Sequence, residues 1–201
     1  MAFSTACSKS AFERFRHFLC LLLFLPTLAW TAEIVVREPQ LTLTDEGYVL
    51  AADFEFELNA RLEEAVNRGV VLHFLTEFEL GRERWYWLDE KLLSRTQTHR
   101  LSYHALTRQY RLSTGGLHQS FDSLGEALRM LRRLRNWLIV ERAEFALEPG
   151  QYQAALRLRL DVTQLPRPFQ ISALGNKDWS LSSDWKNWSL NVSSTGLMGD
   201  K

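Results

Sequence analysis

The chain has 201 residues, of which 46% are hydrophobic and 24% are charged, and its 24 basic residues balance its 24 acidic residues. This balance excludes the strongly basic surface that is typical of nucleic-acid-binding domains. The hydrophobic content excludes a chain that is disordered throughout.

Residues 1–32 have the pattern of a cleavable signal peptide. Basic residues precede an apolar run at residues 18–25, and small residues follow it. This run is shorter than the roughly 20 apolar residues that cross a bilayer, so a retained membrane anchor is the weaker alternative. Cleavage after Ala29 and cleavage after Ala32 both remain open.

Both cysteines, Cys7 and Cys20, lie within the predicted signal. The mature chain is therefore free of cysteine and has no thiol for a disulfide or a metal. Removing the signal also leaves the chain with two net negative charges. We predict a periplasmic domain whose stability comes from its hydrophobic core.

The first part of the mature chain has the alternating pattern of paired strands. Apolar and polar residues alternate at residues 34–43 and 53–58, which predicts a hairpin with one wet face. Asn59 is a good N-cap for a short helix that ends with Arg68 and is followed by Gly69 at the C′ position. Alternation then resumes at residues 70–80.

Two further hairpins are predicted in the middle of the chain. A turn at Gly81 leads from the strand at 70–80 into an aromatic strand at 85–88. A turn at residues 106–107 would pair Tyr103 with Tyr110 and Leu101 with Leu112.

One long helix is predicted after this hairpin. Ser123 and Glu126 have the spacing of a capping box at its start. Its apolar stripe consists of Leu124, Ala127, Leu128, Leu131 and Leu134. Arginines crowd its other side, which gives a basic amphipathic pattern.

The last part of the chain contains two strands, at residues 137–147 and 152–162, that are joined by a turn. Prolines then break the pattern, and a segment rich in tryptophan follows that fits both helical and strand spacing. We predict a single domain at residues 33–192 and a flexible tail at 193–201. The fold class is α+β and β-rich: an antiparallel β-sandwich or strongly curved sheet of about eight strands with one long and one short helix.

Five segments of the mature chain carry a family resemblance: residues 65–74, 84–87, 100–103, 165–168 and 184–188. Together they resemble a proteobacterial family of exported proteins that is catalogued as a domain of unknown function. The resemblance implies export from a proteobacterial cytoplasm and a context in envelope signalling. It carries no known activity, so no catalytic residue can be transferred from it.

The sequence predicts no catalytic residue, no metal site and no cofactor. His73 shares a strand face with Glu77 and Glu79, but residues four apart on a strand are about 13 Å apart. His99 and His104 are an odd number of residues apart and should point to opposite faces of a strand. The chain has no nucleophile elbow and no phosphate-binding glycine loop. We therefore expect a protein that is not an enzyme.

Two surfaces are candidates for binding a partner. One is the basic helix face with Arg129, Arg132 and Arg133, and the other consists of Trp179, Trp185 and Trp188. The leading hypothesis is an exported binding or accessory protein whose partner is another envelope protein. The same arginines would also allow peripheral contact with an anionic membrane surface. The alternatives are a carrier of an apolar ligand and a hydrolase of unfamiliar type.

Overall fold

The structure is a computed structural model that describes residues 33–82, 90–143, 147–173, 175–193 and 196–199. The predicted signal peptide and the predicted aromatic strand at residues 85–88 lie outside these ranges. None of the helices in the described ranges has the length and hydropathy of a membrane span.

The described residues form ten strands and three α-helices. The strands are β1 (Val35–Leu43), β2 (Gly47–Glu55), β3 (Leu72–Arg82), β4 (Glu90–His104), β5 (Gln109–Thr114), β6 (Leu117–Phe121), β7 (Arg133–Glu141), β8 (Gly150–Leu160), β9 (Lys186–Ser193) and β10 (Gly196–Gly199). The helices are α1 (Ala60–Asn67), α2 (Leu124–Leu131) and α3 (Arg167–Ala173).

The strands make two antiparallel sheets with the layered arrangement of a sandwich. The smaller sheet has the order β1-β2-β7, and the larger one has the order β10-β9-β8-β3-β4-β5-β6. The predicted β-rich sandwich is confirmed. The strand that follows β7 in the chain, β8, belongs to the other sheet.

Buried and half-buried residues alternate along two strands of the large sheet, which gives this sheet one buried face. Every second residue of β3 is buried, from Leu72 to Leu80, and β8 follows the same rule from Tyr152 to Leu160. Because successive side chains of a strand point to opposite faces, one face of this sheet packs in the core and the other meets solvent.

The hairpin of β4 and β5 has the register that the sequence predicts. Tyr103 pairs with Tyr110 and Leu101 pairs with Leu112, and the two tyrosine rings lie 4.9 Å apart between centroids. The Tyr110 hydroxyl also donates a hydrogen bond of 2.6 Å to the Asn67 side chain. This bond connects the hairpin to the end of α1.

The short helix α1 is confirmed, with its predicted caps. The Asn59 side-chain oxygen accepts a hydrogen bond of 2.9 Å from the backbone N–H of Leu62. Gly69 follows the helix with a φ of 87°, which places it in the left-handed region where glycine has no steric cost.

The predicted long helix is wrong in its length. Ser123 caps α2 as expected, since its hydroxyl oxygen accepts from the backbone N–H of Glu126 at 3.2 Å. The helix ends at Leu131, however, and Leu134 belongs to β7. The backbone N–H of Phe54 donates to the carbonyl of Arg132 at 2.7 Å. Directly after the helix, the chain therefore pairs with β2 as a strand.

The end of the chain also differs from the prediction. Residues 196–199, expected in a flexible tail, form β10 and pair with β9. The segment rich in tryptophan contains a short 3-10 turn at Lys177–Trp179 followed by β9. Strand pairing with β8 therefore decides between the two spacings that the sequence left open.

We predict that replacing Leu131 by alanine lowers the free energy of unfolding by about 2–5 kcal/mol, because Leu131 is only 4% exposed. The matched control is Met130→Ala in the same helix, where the side chain is 44% exposed. It should cost about 0.5 kcal/mol or less. Urea unfolding of the mature domain measures both. Equal losses would mean that α2 buries a different face.

Candidate functional site

Charged side chains gather where the three strands of the small sheet run side by side. In the register of this sheet, Asp53 of β2 lies opposite Arg37 of β1 and opposite Arg133 of β7. Glu55 is two residues further along β2 and therefore on the same face. Its carboxylate accepts a hydrogen bond of 3.1 Å from Nε of Arg37.

Backbone irregularities flank this row of charges on both sides. The register of β1 shifts between Arg37 and Gln40, where Pro39 has no N–H to donate, and Glu38 has a φ of 43°. The register between β2 and β7 shifts at Leu50 and Ala52, and Asn136 has a φ of 52°. Bulges of this kind bend a strand and redirect its side chains.

The side chain of Arg135 forms three hydrogen bonds where the register between β2 and β7 shifts. Its Nη1 donates to the carbonyls of Ala52 at 2.8 Å and Leu134 at 2.7 Å. Its Nη2 donates to the Asp53 carboxylate at 2.6 Å. The guanidinium thus connects β2 with β7 where their register shifts, so Arg135 has a structural role.

These strands and the end of α2 enclose a cleft of about 490 Å³, here called the arginine cleft. Phe54 and eight charged residues line it. The arginines are Arg37, Arg129, Arg132, Arg133 and Arg135, and the carboxylates are Glu38, Asp53 and Glu55. Five positive charges against three negative ones make the cleft cationic.

The arginines of the cleft differ in how well they are neutralised. Arg37 and Arg135 form ion pairs within it, and Arg129 approaches Glu126 at 3.6 Å. Arg132 stacks on the Phe56 ring, with its Cζ atom 5.4 Å from the ring centroid, and its buried Nε has no hydrogen-bond partner among the described residues. Arg133 forms no ion pair or side-chain hydrogen bond with any residue in those ranges. The excess charge therefore resides on Arg132 and Arg133.

The structure brings together the three arginines that the sequence singled out, but on different elements. Arg129 lies in α2, Arg132 caps it and Arg133 begins β7. The surface is therefore not one helix face. Sequence reasoning missed Arg37 and Asp53, because only the pairing of β1 and β7 with β2 brings them to the site.

The three predicted tryptophans do not form one surface. Trp179 is buried and packs against Phe169 at 5.5 Å between ring centroids. Trp188 is half-buried and lies 6.2 Å from the Phe78 ring, next to the core. Trp185 is half-buried elsewhere, where the guanidinium of Arg157 lies 4.4 Å from its ring centroid.

The environment of Trp185 is a second charged cluster, on the solvent face of the large sheet. Glu77 of β3 accepts hydrogen bonds from Arg157 at 2.8 Å and from Arg159 at 3.0 Å, both on β8. Burial alone would raise the pKa of Glu77, but the hydrogen bonds from the two arginines outweigh it and hold the pKa below its usual range. All three groups are paired, so the cluster is a cross-strand contact of the sheet.

The histidines and carboxylates of the described ranges do not assemble into a metal site. No group of three potential ligands occurs there. His99 is buried and His104 is exposed, which confirms that these two histidines point to opposite faces of β4.

Comparison with known protein families gives a match over most of the chain. A family described as a domain of unknown function (DUF4390) matches residues 31–189. No curated protein and no solved structure matches the chain significantly.

We predict that Arg135→Ala and Arg133→Ala differ in their effect on stability. Losing the hydrogen bonds of Arg135 to the backbone should lower the free energy of unfolding by about 1–2 kcal/mol. Arg133 has no described partner, so its removal should change stability by about 0.5 kcal/mol or less. Urea unfolding of the two variants tests this difference. A larger loss from Arg133→Ala would show that the roles are reversed.

Proposed function

The chain belongs to the DUF4390 family, and on that premise we propose that it is an exported binding protein, not an enzyme, that docks an acidic segment of another envelope protein in its arginine cleft. The observation that carries the proposal is the excess of arginine in the cleft, with Arg132 and Arg133 left without a carboxylate partner among the described residues. Envelope signalling, which the family resemblance implies, is the context that we propose for this docking.

Carboxylate is the anion that suits these arginines. A guanidinium presents its donors in a rigid fork that matches a carboxylate in bidentate fashion, and it stays charged at every physiological pH. Within the cleft itself, Glu55 accepts a hydrogen bond from Arg37, and Asp53 accepts one from Arg135. An acidic side chain of a partner would repeat the same contact at Arg132 and Arg133.

The shape of the cleft favours a segment of polypeptide over a membrane surface. A cleft of about 490 Å³ admits several side chains, whereas a bilayer presents its headgroups as an extended plane. A charged lining is also unsuited to an apolar ligand. The described lining holds arginines, carboxylates and one phenylalanine, and the carboxylates of Asp53 and Glu55 already bind arginines.

We predict that the double variant Arg132→Gln, Arg133→Gln binds a labelled peptide of alternating glutamate and serine about 10-fold more weakly than the wild type. Each lost contact with a carboxylate at the surface contributes up to about 1 kcal/mol, and 1.4 kcal/mol is a factor of ten. Fluorescence anisotropy measures the affinity. Binding should also weaken as salt rises from about 0.1 M to about 1 M, since the Debye length falls from ~10 Å to ~3 Å.

The matched control is Arg108→Gln, Arg167→Gln, which removes the same charge from two exposed positions outside the cleft. This control should bind the peptide as the wild type does. Equal weakening in both double variants would mean that net charge alone attracts the peptide, and the docking proposal would then be wrong.

Export is tested separately. We predict that osmotic shock releases a mature species that lacks Met1 to at least Ala29, because the apolar run is too short to remain in the bilayer. The intact mass of the released protein measures this and distinguishes cleavage after Ala29 from cleavage after Ala32. A mass that includes Cys20 would contradict the proposal of a cleaved signal.

A further inference from the structure

Arg133 and Arg135 also line a second cavity, of about 240 Å³, beside the arginine cleft. This cavity is here called the β6 pocket, because Leu117 and Gln119 of β6 line it. Since the same two arginines line both cavities, the two cavities are neighbours.

The β6 pocket has walls of mixed character. The row His99, Thr114 and Leu117 runs across β4, β5 and β6 in register. Met130 of α2 and Leu134 of β7 also line the pocket. Apolar and polar groups therefore face the same small volume.

The polar end of the pocket is uncharged. Burial lowers the pKa of His99 to about 4, so its imidazole is neutral at pH 7. Nδ1 of His99 lies 2.8 Å from the Thr114 hydroxyl oxygen. The other ring nitrogen has no hydrogen-bond partner among the described residues, so it can bond a hydroxyl group that enters the pocket.

The apolar rim of the pocket is open to solvent. Leu117 is 81% exposed and Met130 is 44% exposed. Exposed apolar groups beside a cationic cleft are typical of a surface that binds a partner with both an acidic and an apolar part.

We propose that the arginine cleft and the β6 pocket form one composite site for an acidic protein segment that carries a tyrosine, with the carboxylates at Arg132 and Arg133 and the phenol ring in the pocket. This inference rests on the proposed function and specifies the chemistry of the partner. The ring would pack on Leu117 and Met130 while its hydroxyl meets the end that holds His99 and Thr114.

The size and polarity of the β6 pocket favour a tyrosine side chain. The pocket is smaller than the roughly 300–1,000 Å³ of typical small-molecule sites. An acyl chain would leave His99 and Thr114 facing a group that cannot form hydrogen bonds, which is costly. Tyrosine has an apolar body and a polar tip, and it often serves as an interface anchor.

The strand at the rim favours a polypeptide as the ligand. β6 is the last strand of the large sheet and pairs with β5 alone among the described strands. Its outer edge thus offers backbone groups to an added strand, as in other complexes that extend a sheet. Alternate residues of such a strand lie about 7 Å apart, which suits a carboxylate and a ring on neighbouring cavities.

The test compares two labelled peptides by fluorescence anisotropy on the full mature domain. One has glutamates around a single tyrosine, and the other has serine in place of that tyrosine. Burial of the ring should make the tyrosine peptide bind about 10-fold more tightly. In the variant Leu117→Ser, Met130→Ser this advantage should disappear, while binding of the serine peptide stays unchanged. The control variant Leu106→Ser, Ile171→Ser changes two exposed apolar residues outside the pocket and should keep the advantage.

Each outcome has a distinct meaning. If both peptides bind the wild type equally, the tyrosine pocket is wrong while the acidic docking site stands. If neither peptide binds, the proposed function fails with it. A third arm uses vesicles of an anionic phospholipid: binding to them that requires Leu117 and Met130, without binding of either peptide, would make the ligand a lipid and overturn both proposals.

Discussion

A three-stranded sheet is too narrow to cover a seven-stranded one, and this mismatch determines where the clefts of the molecule form. Strands are spaced about 4.8 Å apart, so the small sheet spans less than half the width of the large one. β1 lies beside β8 and β10, while α1 contacts β4, and α2 contacts β5 and β6. The small sheet thus covers one part of the large sheet, and the helices cover another. The boundary between these two parts, here called the seam, lies at β7 and α2, and residues of both elements line both cavities.

Its position at the seam places two requirements on the backbone of β7. This strand has to pair with β2 on one side and follow directly from α2 at its start. The register shift and the left-handed Asn136 accommodate both demands, and asparagine tolerates that conformation better than most residues. Arg135 then donates to the carbonyls of Ala52 and Leu134 and to the Asp53 carboxylate, so a side chain of the cleft also stabilises the irregular pairing.

Local patterns predicted the parts of the fold that depend on neighbours in the chain. The caps of α1, the register of the β4–β5 hairpin and the alternation of β3 and β8 follow from short stretches of sequence. The length of α2 could not be predicted from such a stretch, because Leu131 and Leu134 fit a helical stripe equally well. Whether Leu134 belongs to the helix or to a strand depends on β2, some 80 residues earlier in the chain. Pairing with the edge of β2 stabilises β7 as a strand.

The same reasoning explains what could be foreseen of the site. Arg129, Arg132 and Arg133 are close in sequence, so any local structure keeps them near one another. Arg37 and Asp53 join them only through pairing over long distances in the chain, which one sequence does not reveal. That pairing also changes the chemistry of the cluster: Asp53 binds Arg135 and Glu55 binds Arg37, so two of the carboxylates neutralise arginines that hold the sheet together.

The arrangement leaves the unpaired charge where a ligand can use it. A fully buried and unpaired guanidinium would be too costly to keep, and a fully exposed one would be screened by solvent. Arg132 lies between these limits, with its Nε buried and its charge held against the Phe56 ring. A carboxylate that enters the cleft would meet a guanidinium that has already lost part of its hydration. Because that part of the desolvation cost is met on folding, such a contact should contribute more to affinity than one with an arginine in open solvent.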